Sequence, residues 1–89
     1  MKIIKIEPIS GTEMTFIKNK ITLSSVIITK KTFFGNEKTM IAHPTNYGPT
    51  YRSHTIIFFK YVDENGKEYP DNVSKQINNF LRIPINKIN

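Results

Sequence analysis

Two histidines, two tyrosines and an arginine fall between positions 43 and 54, as His43, Tyr47, Tyr51, Arg52 and His54. This set can do two kinds of chemistry. A histidine pair acting as general acid and base, with an arginine to stabilise a charged phosphorane, is sufficient to cut RNA without a metal. The same residues can instead hold nucleic acid or another partner, with Tyr47 and Tyr51 stacking on unpaired bases, Arg52 meeting phosphates and His54 beside them in the binding set. Because the histidines stand at opposite ends of a segment carrying Pro44 and Pro49, no spacing brings them together, and no nearby carboxylate orients either ring. The reading is therefore binding, with no catalytic residue assigned.

Other chemistries lack their residues. The chain has no cysteine, which removes thiolate catalysis, disulfides and cysteine-ligated zinc. Asp63-Glu64-Asn65-Gly66 begins like a calcium loop but lacks its alternating oxygen ligands and terminal glutamate, and no Gly-rich phosphate loop occurs. No metal and no cofactor are expected.

Thirteen Lys and Arg against seven Asp and Glu give a formal charge of +6. Such a balance favours a polyanionic or acidic partner. Lys30, Lys31, Lys38 and Lys60 lie in β-type segments and join Arg52 as candidate phosphate contacts, with Phe33 or Phe34 as further stacking candidates. Eleven of the thirteen cations are lysines, and Ile, Lys and Asn number 15, 11 and 9, so AT-rich codon usage is a competing source of the charge. The leading expectation is a small basic, non-enzymatic module for nucleic acid or a nucleoprotein. The alternative is an inhibitor or adaptor of the phage or mobile-element kind, seated on an acidic protein surface. A metal-independent ribonuclease-like activity ranks third.

These residues need a scaffold, and the pattern supplies one. Lys2–Glu7 alternates as a first strand, and Glu13–Lys18 resumes β composition, so the two are expected to pair as a hairpin. From Ile21 to Phe34 the chain is rich in Thr, Ile, Val and Phe, with a break or bulge expected at Ser24-Ser25. Gly35-Asn36 is expected to close a two-residue hairpin loop onto Glu37–Ala42. His43–Ser53, with two prolines and a glycine, reads as a loop.

His54–Val62 is the densest β-branched and aromatic block and is apolar in both registers, so it reads as the central strand, with Ile56–Phe59 in the core. A three-residue turn with Gly66 left-handed is favoured after it, because it sets Asp63 opposite Lys67 and Tyr61 opposite Tyr69, whereas a two-residue turn opposes Asp63 to Glu68. Asp71 is a candidate N-cap, and Val73, Ile77, Phe80 and Leu81 make one helical stripe. Pro84 stops that helix, and Ile85 and Ile88 offer a short edge strand beyond it.

The expectation is thus a single domain over residues 1–89, of the β-rich α+β class. Four to six antiparallel strands form a small curved sheet or partly open barrel, with one C-terminal helix at about 71–82. No run of about 18 apolar residues and no leader pattern is present, so a cytoplasmic protein is expected, away from membranes.

Overall fold

The computed structural model describes residues 2–16, 21–53 and 56–82. Among the described residues six strands and one helix follow in order: β1 (Lys2–Pro8), β2 (Met14–Phe16), β3 (Ile21–Leu23), β4 (Val26–Lys31), β5 (Glu37–Ser53), β6 (Ile56–Val62) and α1 (Asp71–Phe80). Four strands make a curved antiparallel sheet in the order β1-β4-β5-β6, and β2 and β3 form a separate two-stranded ribbon. This is the expected class, a half-barrel with a C-terminal helix.

Strand partners differ from the sequence expectation in one respect. β1 pairs with β4, Ile6 facing Ile28 and Pro8 facing Val26, while β2 pairs with β3. The physical reason lies in burial: Val26, Ile28 and Ala42 form the core with Tyr61, Val73 and Ile77, and Ile3 and Ile6 pack against that cluster. Pairing β1 with β2 would leave those isoleucines outside it. The break at Ser24-Ser25 is present, and both serines are buried.

β5 runs straight through the segment expected to be a loop. It pairs with β4 over Glu37–Ala42 and then with β6 over His43–Ser53, serving two neighbours in succession, which curls the sheet. Both prolines fit because of which way their partners' backbones face. Pro49 lies opposite Phe59 and Pro44 opposite Tyr61. Phe59 N–H donates to Asn78 Oδ1 at 3.1 Å, its C=O accepts from Asn78 Nδ2 at 3.0 Å, and Tyr61 N–H donates to Ser74 Oγ at 3.2 Å. These backbone groups turn towards α1, so the missing proline N–H costs the β5–β6 ladder nothing at either position. Between them Thr45–Gly48 stand against Lys60 alone, a wide bulge that keeps part of the loop character the composition implied.

β6 is buried as expected, with Phe58, Phe59, Lys60 and Tyr61 consecutively inside. It is not central, however, but last in the sheet among the described residues. Its outer edge is closed by Ser74 and Asn78, one turn apart on α1, whose side chains take the bonds that another strand would otherwise make. The side chains of Ile56 and Ile57 lie outside what the structure describes.

α1 begins at Asp71 after Pro70, whose carbonyl accepts from Val73 N–H at 3.0 Å, so Asp71 occupies the first turn rather than the N-cap. Val73 and Ile77 are buried, and Leu81 packs against both apolar clusters. Phe80, placed on the same stripe by its spacing, is 46% exposed.

Candidate nucleic-acid interface

The β4–β5 connection is a tight tip. Thr32 N–H donates to Asn36 C=O at 2.7 Å and Gly35 N–H to Thr32 C=O at 3.0 Å, with Gly35 at φ +85°. The loop is thus Phe33-Phe34-Gly35, one residue longer than expected and shifted towards the N-terminus, with Gly35 in the left-handed bulge position. The expected turn at Gly66 has the same geometry: Asp63 N–H donates to Lys67 C=O at 2.8 Å, Gly66 N–H to Asp63 C=O at 3.0 Å, and Gly66 has φ +84°. Tyr69 N–H then meets Tyr61 C=O at 3.0 Å, the register that charge pairing favoured.

The tip's placement has a consequence for its side chains. With Gly35 absorbing the positive φ, Phe33 and Phe34 are lifted clear of the sheet, 97% and 86% exposed, with ring centroids 5.4 Å apart and planes at 89°. Two large apolar faces left in water at a hairpin end are unusual in a small domain. Lysines occupy the strand ends next to them. Lys31 pairs with Lys2 on β1 and with Glu37 on β5, and Lys30 pairs with Lys38 across β4–β5. Like charges directly opposite on neighbouring strands destabilise a sheet, and two such pairs fall at this end, Lys2–Lys31 on one face and Lys30–Lys38 on the other because successive strand residues alternate. Lys2, Lys30, Lys31, Thr32 and Phe33 line a shallow hollow at this end.

Three residues named from the sequence, Lys30, Lys31 and Lys38, therefore fall at one end of the sheet, Lys31 on one face with Lys2 and the other two on the opposite face, next to Phe33 and Phe34. Lys2 was missed because its neighbour in space, Lys31, is set by the β1–β4 pairing. Lys60 does not join them. It is 5% exposed, and its Nζ lies 2.9 Å from both Asp71 Oδ1 and Glu68 Oε1. Its charge is committed inside the fold, contrary to the expectation of a phosphate contact.

Tyr47, Tyr51 and Arg52 belong to β5 by their backbone, while their side chains, and His54 entirely, lie outside the described residues. His43 Nδ1 is hydrogen-bonded to Ser25 Oγ at 2.8 Å, and Ser25 N–H donates to Thr12 Oγ1 at 3.1 Å. That chain of bonds ties β5 to the β3–β4 corner. Among the described residues no group of three His, Cys, Asp or Glu is placed to hold a metal ion, and no helix is long and apolar enough to cross a membrane.

The fold and site define a β-rich α+β half-barrel with a basic, aromatic hairpin tip. No family model, curated protein or solved structure matches the chain.

Proposed function

We propose that the protein is a binding module for nucleic acid, alone or within a nucleoprotein, and that the β4–β5 tip is its contact surface. The observation that carries this reading is the pair of almost fully exposed rings of Phe33 and Phe34 at the sheet end that carries Lys2 and Lys31 on one face and Lys30 and Lys38 on the other. Lysines act as point charges towards phosphates, and an exposed ring offers its face to an unpaired base, so the combination suits a single strand or a loop. Perpendicular rings do not stack on two successive parallel bases, which limits the tip to one stacked base and one edge contact.

The test is a titration of a labelled single-stranded oligonucleotide over a salt series. Four phosphate contacts give a log–log salt slope of about −3, and each lysine changed to methionine reduces it by about 0.7. Combining Phe33→Ala with Phe34→Ala weakens binding about tenfold at every salt concentration. Absence of binding at low salt refutes the proposal. The same exposed rings also support a second reading, in which the tip enters an apolar cleft with acidic walls on a partner protein. That reading predicts no oligonucleotide binding and the same sensitivity to Phe33 and Phe34 against the partner.

A further inference from the structure

The β1 edge of the sheet carries an inference independent of the tip. Ile9 N–H donates to Ser25 C=O at 2.8 Å, and Pro8, Glu7, Ile6 and Lys5 face Val26, Ile27, Ile28 and Thr29 in turn. Alternation of the antiparallel ladder then sends the N–H and C=O of Glu7 and Lys5 towards β4, and those of Ile6, with the C=O of Pro8, out from the sheet. Among the described residues no strand pairs with this outer edge. Beside it runs an open groove of about 710 Å³ between β1 and α1, lined by Ile3, Ile4, Ile6 and Phe80, of which Ile4 and Phe80 are 44% and 46% exposed.

We propose that two copies of this chain pair β1 against β1 about a two-fold axis at Ile6, joining their sheets into one of eight strands. Charge selects the register. The β1–β4 register slips between Ile3 and Lys5 and leaves Ile4 unpaired, so the regular outward groups are those of Ile6 and Pro8 and the two-fold lies at or beside Ile6. Placing it between Ile4 and Ile6 sets Lys5 against Lys5 of the second copy, and placing it between Ile6 and Pro8 sets Glu7 against Glu7. At Ile6 each Lys5 faces Glu7 of the second copy, on both sides of the axis. In the single chain these two side chains already lie on one face, Nζ 2.9 Å from Oε1 and both more than half exposed, so the interface builds a four-charge cluster. Ile6 meets Ile6 in two backbone hydrogen bonds on the opposite face, continuous with the core cluster it packs against. Edges are commonly guarded by lysine and proline, and β1 has both. At this register the lysine is neutralised and Pro8 lies beyond the two bonds at Ile6, so neither guard opposes pairing with a second copy.

The pairing is tested by sedimentation equilibrium without nucleic acid, on the full chain and two exposed variants, Lys5→Glu and Glu7→Lys. Wild type is expected to show a concentration-dependent dimer. Each variant alone sets like charges opposite at both sites and weakens dimerisation about tenfold or more. An equimolar mixture of the two restores it, because every Glu then faces a Lys. Net charge cannot produce that rescue: each substitution changes the formal charge of +6 by two, giving +4 and +8, and two cations repel. Ile6→Pro, which removes the outward N–H along with part of the packing of Ile6 on the core, abolishes the dimer in all mixtures, and the charge-swap pair carries the test independently of it. A wild type that stays monomeric at every attainable concentration overturns the proposal. A dimer that survives both single variants, or a mixture that fails to recover, overturns it equally.

Discussion

Replacing Asn78 with alanine removes three hydrogen bonds from a fully buried side chain. Asn78 accepts from Phe59 N–H at 3.1 Å and donates to Phe59 C=O at 3.0 Å and to Ser74 C=O at 2.6 Å. Helix carbonyls have their own N–H partners, so the cost is concentrated on Phe59. Two buried backbone groups that each lose a partner cost about 1–3 kcal/mol apiece, and a combined loss of about 3–4 kcal/mol follows. A domain of this length has a total stability on the order of 4–13 kcal/mol, so the variant gives up a large share of it. At about 4–8 °C per kcal/mol the melting temperature falls by about 15 °C or more. Urea unfolding followed by circular dichroism measures the change, with Asn79→Ala, an exposed neighbour on the same helix, expected to stay within about 0.5 kcal/mol of wild type. A loss below about 1 kcal/mol for Asn78→Ala would refute the view that α1 acts as the closing neighbour of β6.

Gly66→Ala places a side chain at φ +84° in open space, so backbone strain alone acts, and a loss of about 1–2 kcal/mol in urea unfolding is expected. Lys60→Met leaves Asp71 and Glu68, 38% and 54% exposed, to be solvated. It should leave oligonucleotide affinity and salt slope as in wild type, whereas Lys31→Met should reduce both; equal effects would place Lys60 at the contact surface after all. Burial pushes the Tyr61 phenol up, and burial with Asp63 and Glu64 pushes Tyr69 up, so folding keeps protons that the unfolded chain releases. Their contribution is complete below the ordinary tyrosine value of about 10 and declines as pH rises above it. Urea midpoints between about pH 9 and 11 should therefore fall, and less steeply in Tyr61→Phe, which gives up only a long 3.5 Å bond to Ser24 C=O. An unchanged slope in that variant would contradict the assignment.

Features governed by neighbours in sequence were legible from the chain alone. The Gly66 turn followed from charges four and five residues apart, the break at Ser24-Ser25 from a change of apolar register, and α1 from the spacing of Val73 and Ile77. The β class and single C-terminal helix followed from the same local patterns. Partner choice was not legible, because it is decided by which surfaces a shared core can bury. β1 chose β4 over the nearer β2, and Lys2 thereby reached Lys31 at the tip. The rule that keeps proline out of strands concerns an N–H that must be donated, and Pro44 and Pro49 escape it because the residues opposite them bond to α1 instead. Lys60 read as a surface cation until Asp71 and Glu68, eleven and eight residues away, were folded against it. The sequence by itself determined the local elements, the charge and the aromatic content of this protein; only the tertiary structure decided which lysines remain in water beside Phe33 and Phe34, since exposure depends on contacts made by residues far along the chain.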